Sequence, residues 1–373
     1  MRVAILRREP QFSFSMDVYA NGVANGLRKV RPDWEILELM PEIPSSANSL
    51  IKGLQRYYHR YWHYPQSLKK QEVDIFHIID HSDAHMVYWL KKWGRSQVVT
   101  CHDLINLVRP ETFQGKARFP LVSMATWKWA ISGMEKAERI ISVSQHTARD
   151  ITEHLNVRAS EIDVIPNAVD RSFHCLETSE MAAFEQQHNL DRECFYLLNV
   201  GSNNARKNVM TVLKVLAKLR QRELNICLWK AGSGFDSEQK TFIETHNLEK
   251  YITHWSNPDD KTLVKLYNAA DLLIAPSLYE GFGMTILEAM ACGTPVVTSN
   301  VTSLPEVAGD AAVLSDPNDV GAMADAIAKM QQEPSYRQFL IDKGLERVKQ
   351  FSWEVTAEKV AGVYEKLYQS KKL

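Results

Sequence analysis

Two doubly wound α/β domains are the fold class this chain predicts, and three observations carry that expectation. Short β-branched runs alternate with longer helical patterns along the whole length, as in parallel sheets wound with helices. At 373 residues the chain exceeds the ~250–300 residues at which single cores stop growing. A polar segment, Arg171 to Glu193, separates two halves that each show the alternation. The expected division is therefore 1–170 and 171–353, with 354–373 as a C-terminal helix packing back on the first domain.

In the first half the strands are RVAIL (Arg2–Leu6), DIFHII (Asp74–Ile79), QVVTC (Gln97–Cys101), RIISVS (Arg139–Ser144) and DVIP (Asp163–Pro166), with QHTARDITEHL as a helix between the last two. In the second half they are CFYLLNVG (Cys194–Gly201), NICLWKAG (Asn225–Gly232), DLLIAPS (Asp271–Ser277), PVVTS (Pro295–Ser299) and AAVLSD (Ala311–Asp316). In open parallel sheets ligands sit outside the carboxyl ends of the strands, so the informative residues are those just after each run.

Composition narrows the function. Apolar residues make up 45% and charged residues 24%, as in an ordinary globular protein. Lys+Arg 44 against Asp+Glu 45 leaves no basic field for nucleic acid. Five scattered cysteines without a C-x-x-C pair argue for a reducing cytoplasm and against a disulfide frame or a zinc site. The start, MRVAILRREP, is too short in its apolar run for a signal peptide, and no stretch approaches the ~20 residues that span a bilayer. Any membrane contact is expected to be peripheral, at the inner face.

The strand Asp271–Ser277 runs into LYEGFGM, and MTILEAMA then starts a helix that Gly293 and Pro295 stop. Gly281 and Gly283, on either side of Phe282, let the backbone approach a ligand. Their amides, with the orphan N–H groups of the helix start, form an anion nest. Ile286, Leu287 and Met290 share the apolar face of that helix, and Glu288 lies off it. A carboxylate there suits a vicinal diol such as a ribose, while Glu280 stands beside whatever follows the far phosphate. The plainer reading makes Glu288 a solvated residue and Glu280 a helix-dipole acid. Neighbouring strand ends shift the weight: SNNARKN places Arg206 and Lys207 before a helix whose Val209, Val212, Leu213, Leu216 and Leu219 share a face, and KAGSGF offers Gly232 and Gly234. Neither a G-x-G-x-x-G nor a Walker A sequence is present.

EGFGMTILEAMACGTPVV, with seven residues between its glutamates, resembles the signature of the retaining glycosyltransferases of family 4, whose fold is GT-B: two Rossmann-like domains facing across a cleft. VIPNAVD, VGSNNARKN, LYNAADLLIAPS, SLPEVAGDAAVLSDPND and FSWE resemble family blocks in the same order. The resemblance is dense from Ile140 onward. It implies that the C-terminal domain binds a nucleotide sugar, with Glu288 on the ribose and Glu280 on the transferred sugar. Gly281, Phe282, Gly283, Met284 and Thr285 then line the diphosphate, and Arg206 with Lys207 neutralises it. Two departures stand out: Ser202 where arginine is frequent, and Thr285 where proline is frequent. Trp255, in ITHWSN, falls where the family's loop borders the base, although a core tryptophan is the preferred reading.

The first half is read as the acceptor side. HIIDHSDAH (His77 to His85) and TCHDL (Thr100 to Leu104) are rich in histidine and aspartate, but His77, Asp80, His81, Asp83 and His85 lack a zinc-like spacing. By resemblance His102, closing its strand, faces the transferred sugar, and Asp103 is a loop or cap residue. The family's glycine-rich loop after the first strand is absent. In its place QFSFSMDVYANGVANGL offers Ser15 as a helix N-cap, Asp17 in the first turn, and Gly22 and Gly26 inside the helix. LIKGLQRYYHRYWHYPQSLKK (Leu50 to Lys70) is basic and amphipathic. It either lies on an anionic surface or, as preferred here, packs tyrosines 57, 58 and 61 on its own sheet.

The function this implies is retaining transfer of a hexose from a GDP- or UDP-linked sugar to a saccharide or lipid-linked hydroxyl acceptor. Attack comes on the same face, with no metal and no other cofactor, and Glu280 and His102 act as the catalytic pair. A sugar phosphorylase or sucrose-synthesising relative, and a non-catalytic nucleotide-sugar sensor, are the alternatives.

Overall fold

The structure, a computed structural model, describes residues 1–8, 14–41, 55–110, 120–191 and 193–372. The chain forms two compact units, one of Met1–Ala168 with Trp353–Leu373 and one of Val169–Ser352. Each unit is built on a six-stranded sheet in which every neighbouring pair is parallel.

The first sheet contains β1 (Arg2–Leu6), β2 (Glu35–Leu39), β3 (Ile75–Ile78), β4 (Ser96–Cys101), β5 (Arg139–Ser142) and β6 (Ile162–Val164), in the order β2-β1-β3-β4-β5-β6. The central strands β3 and β4 are buried at every position, as expected of strands covered on both faces. β2 was not expected from the sequence. Its EILEL places the adjacent aliphatics Ile36 and Leu37 between Glu35 and Glu38 at the sheet edge, without a regular alternation, and only Ile36 is buried.

A 17-residue helix, Phe14–Val30, follows β1. Ser15 lies inside it rather than at its N-cap, which corrects that expectation, and the preceding residues 9–13 are outside the described ones. The two helix glycines have a packing reason. A Cβ on Gly22 would meet the Trp353 indole at 2.2 Å, and one on Gly26 would meet the Ala357 Cβ at 2.6 Å. The helix Trp353–Ser370 can therefore lie against the first helix at close range, and its Ala357, Val360, Ala361 and Tyr364 join the core around Val3, Ile5, Val23 and Leu27.

The second sheet contains β7 (Phe195–Gly201), β8 (Ile226–Gly232), β9 (Ile252–Trp255), β10 (Leu272–Ala275), β11 (Val296–Ser299) and β12 (Val313–Ser315), in the order β12-β11-β10-β7-β8-β9. This is the Rossmann order, with the direction of strand succession reversing between β7 and β10 while all strands stay parallel. The helix Val209–Gln221 buries the aliphatic stripe expected of it. β9, also not expected, is an edge strand with two of its four residues exposed.

Two further expectations are corrected. Cys194 and Cys227 form a disulfide across β7 and β8, with Cα atoms 6.3 Å apart. Their 33-residue separation gives no local clue, because a helical crossover connects the two strands. In the basic segment, residues 50–54 lie outside the described ones, and over the remainder Tyr57 and Tyr58 are half exposed, as is Trp62. It is Tyr64 and Leu68 that are buried. The segment passes through a π-helical turn at His59–His63, which shifts the wheel on which the tyrosine face was drawn. Among the described residues no helix is long and apolar enough to cross a membrane.

Candidate active site

The topological switch point of the second unit lies between β7 and β10, and the two strands are tied there by Asn199, whose Nδ2 donates to the Ile274 carbonyl at 2.9 Å. Just beyond the strand ends sits a cluster of charge. Glu280 is buried, and its carboxylate receives the Arg206 guanidinium, the Lys207 ammonium at 2.7 Å and the Ser277 hydroxyl at 2.8 Å. Burial pushes that carboxyl up, but Lys207 and Arg206 outweigh it and hold it near 2. Glu280 is therefore a permanent anion. Arg206 also donates to the Tyr279 carbonyl at 3.2 Å, and its own carbonyl accepts from the Leu278 amide, so the two strand-end loops are stitched together.

Local sequence explains the placement. Asn204 caps a single turn, Ala205–Lys207, and Asn208 adopts a left-handed conformation (φ +54°) before the 209–221 helix begins. That kink turns Arg206 and Lys207 back over the sheet end rather than along the helix. On the other side Gly283 has φ +109°, and a Cβ there would meet Leu304 Cδ2 at 2.9 Å, so only glycine fits. Ser303, buried beneath, donates to or shares the carbonyls of Glu280 and Phe282, and Phe282 packs edge-on against Phe351. The loop is thereby held rigid up to the start of the helix Met284–Ala291, which no side chain among the described residues caps. First-turn amides such as those of Met284 and Thr285 have no carbonyl partner within their own helix. Uncapped amides facing the same strand ends as two cations form a setting suited to an anion.

Glu288 lies further along that helix and is half-buried. One of its oxygens accepts the Tyr267 hydroxyl at 2.7 Å, and burial raises its carboxyl above the ordinary range. The structure thus brings Arg206, Lys207 and Glu280 into direct contact and strings Gly281, Phe282, Gly283, Met284, Thr285 and Glu288 behind them. Trp255 closes β9 and packs on aromatic neighbours of its own unit, Phe184, His188 and Trp229.

Three participants escaped the sequence reading. Ser277 and Tyr267 are ordinary in their local patterns. Lys230 is not: it interrupts the apolar run of β8 and is completely buried. A lysine inside a central strand was the signal, since lysine is almost never fully buried without a partner.

In the first unit His102 follows β4 directly and is buried. Its Nε2–H donates to the Ile79 carbonyl at 2.8 Å, and Tyr19 packs edge-on against the ring at 4.7 Å. Burial lowers the imidazole below its ordinary value despite the nearby Asp80. His102 is thus a neutral ring, locked in orientation. Asp103 accepts from the Ile105 amide, a capping role. The surrounding acids and histidines have partners of their own. Asp80 binds Arg8 and the Ser82 amide, Asp83 binds Arg60, and His85 faces the Arg60 carbonyl. His77 bridges Thr100 and Tyr364 at 2.7 and 2.6 Å.

Two six-stranded parallel sheets in two Rossmann-like units define the GT-B class of fold. The chain belongs to the group 1 glycosyltransferases: a family model described as "Glycosyl transferases group 1" matches residues 180–347, and one described as "Glycosyltransferase Family 4" matches residues 13–173. It is accordingly a sugar transferase. The chain is 32% identical to an O-antigen chain mannosyltransferase B of Escherichia coli over 72% of its own length and 70% of the relative's. It is 28% identical to the serotype-specific mannosyltransferase WbdA of the same organism, of which it spans about a third (34%). Among solved structures it is similar to HepE of Anabaena in complex with UDP and glucose (TM-score 0.77, 16% identity, 98% of this chain and 100% of that one). It is also similar to a sucrose-phosphate synthase of Thermosynechococcus elongatus (TM-score 0.75, 19% identity, 99% and 100%).

Proposed function

We propose that the protein transfers a hexose from a nucleotide-diphosphate sugar to a hydroxyl of a saccharide or lipid-linked acceptor, retaining the anomeric configuration and using no metal. The observation that carries the reading is the cluster at the β7–β10 switch point: two cations on one buried carboxylate, beside a glycine-opened, uncapped helix start. In such a transfer negative charge develops on the departing diphosphate. Cations and amides already in place stabilise it without reorganising. Arg206 and Lys207 supply the charge, and the segment Gly281–Thr285 supplies the amides. With two cations at hand a metal ion is unnecessary, so transfer should survive chelation by EDTA.

Glu288 then takes the ribose. Its carboxylate, fixed by Tyr267, keeps acceptor capacity for a diol. Glu280 holds the hydroxyls of the transferred sugar while its position is maintained by Arg206, Lys207 and Ser277. His102, neutral and fixed through Ile79, is the second residue assigned to positioning the sugar. Attack proceeds on the face from which the diphosphate leaves, through an oxocarbenium-like state, and the phosphate receives the acceptor's proton. The half-exposed Tyr57, Tyr58 and Trp62 favour a peripheral contact with the cytoplasmic membrane face, where a lipid-linked acceptor would be met.

The test begins with donor binding. Thermal shifts are measured with UDP, GDP and ADP and their common sugars. GDP-mannose comes first because of the mannosyltransferase relatives, and UDP-glucose second. A ligand at 100 times its Kd adds about 2.7 kcal/mol, a readily visible shift. Lys207→Ala should remain folded and lose transfer. Transfer at the wild-type rate would remove the phosphate assignment, and binding of a nucleotide sugar without turnover on any saccharide acceptor would make the protein a sensor instead.

A further inference from the structure

Lys230 is a buried cation that no carboxylate among the described residues balances. Its Nζ donates to the Gly201 carbonyl at 2.6 Å and to the Ala231 carbonyl at 3.1 Å. Among the described residues the charged side chain that acts on it is another cation, Lys207. Two carbonyl dipoles replace only part of the hydration that a full positive charge loses on burial, and an isolated buried charge is costly to keep. The geometry shows what the ammonium surrounds. Gly201 and Gly232 end the adjacent strands β7 and β8 in paired register, and both have positive φ (+131° and +106°). A Cβ on Gly232 would meet the Gly201 carbonyl oxygen at 2.5 Å, and one on Gly201 would meet Lys207 Cε at 3.3 Å and Nζ at 3.6 Å. Lys207 and Lys230 therefore flank the same bare glycine at the strand end. Arg206 and Lys207 share Glu280, and Lys230 adds a further cation beside Lys207, a local excess of positive charge. Like charges are gathered in this way at low cost only if an anion joins them.

We propose that Lys230 is a further phosphate-binding residue of the donor site, its ammonium held by the Gly201 carbonyl until a nucleoside diphosphate supplies the missing negative charge. The inference rests on the donor-site reading above and adds to it a residue from the second strand. Burial and Lys207 lower the ammonium to about 8, so it is still charged at neutral pH and is lost in mild alkali. A purely structural lysine that ties β7 to β8 would produce the same contacts, and the two roles differ in the sign of one measurement.

The substitution is Lys230→Met, which keeps the length and removes the charge. The Gly201 carbonyl still receives the Ser233 amide. Melting is followed without ligand, and affinities for UDP and GDP are measured by calorimetry beside those for uridine and guanosine. The expected result is an unliganded protein at least as stable as wild type, at least a tenfold loss of diphosphate affinity, and unchanged nucleoside affinity. Independently of any variant, wild-type diphosphate affinity should fall as pH rises from 7 through 9. Lys230→Met with wild-type diphosphate affinity overturns the inference. So does a wild-type affinity that is flat across that pH range, or a variant whose diphosphate and nucleoside affinities fall together. Wild-type protein that binds neither UDP nor GDP overturns the donor-site reading itself and takes this inference with it.

Discussion

Glu280→Gln tests the central cluster most directly, because the variant keeps the shape of the side chain and removes its charge. In the wild type burial favours the neutral carboxyl, but Lys207 and Arg206 favour the ionised form strongly enough to bring it from 4.5 down to about 2. That difference corresponds to roughly 3 kcal/mol of preference for the anion in the folded state. A group whose folded pKa is depressed stabilises the fold above its unfolded value and loses that contribution as pH falls toward the folded value. The variant should therefore be less stable than wild type by on the order of 3 kcal/mol at pH 7, as seen by urea unfolding of the full chain. The gap should narrow below pH 4.5, by about 1 kcal/mol at pH 4. The same protein should keep its affinity for UDP or GDP, since the two cations remain, while transfer is lost. Equal stability at pH 7, or a gap that does not change between pH 7 and pH 4, would refute the account of Glu280 as a clamped anion.

Gly26→Ala reverses the usual helix rule: propensity alone favours alanine by about 1 kcal/mol, but the added methyl would sit 2.6 Å from Ala357 Cβ and 2.8 Å from the Trp353 carbonyl oxygen. Overpacking of this kind costs ~1–3 kcal/mol, so calorimetry should show a lower Tm, and a raised one would contradict the packing described. Gly283→Ala, at φ +109° and against Leu304, should displace the 281–285 loop and weaken nucleoside diphosphate binding; unchanged binding would show the loop conformation to be irrelevant. Burial holds His77 near 3 and His85 near 4, both neutral in the folded chain. An unfolded chain takes up those protons below ~6.5, so stability should fall as pH drops from 6.5 toward 5, and a Tm that stays constant over that window would argue that these rings are accessible.

Much of this molecule was readable from residue order. The stripe of Val209, Val212, Leu213, Leu216 and Leu219, the strands β1, β7 and β8, and the helix Met284–Ala291 follow from local periodicity and from glycine and proline stops, which act within a few residues. The residues Arg206, Lys207, Glu280 and Glu288 were legible for the same reason: each stands in the connection that follows a strand or in the first turns of the helix beyond it, where an open α/β sheet places its ligand. Edge strands β2 and β9 were not legible, because a half-exposed run of four or five residues with charges or polar groups carries no clear period. Tertiary structure alone decided which partners meet. Cys194 reaches Cys227 only because β7 and β8 are neighbours, and in the 55–63 segment Tyr57 and Tyr58 are left half exposed while Tyr61 packs on His85 and Trp129. The mutual clamp of Glu280 by Arg206 and Lys207, across more than seventy residues of chain, and the isolation of Lys230 beneath Gly201 belong to the same category. Local pattern sets which elements form, since it depends on neighbours along the chain. Charge balance in a buried site depends on neighbours in space, and those exist only once the sheet has closed its order.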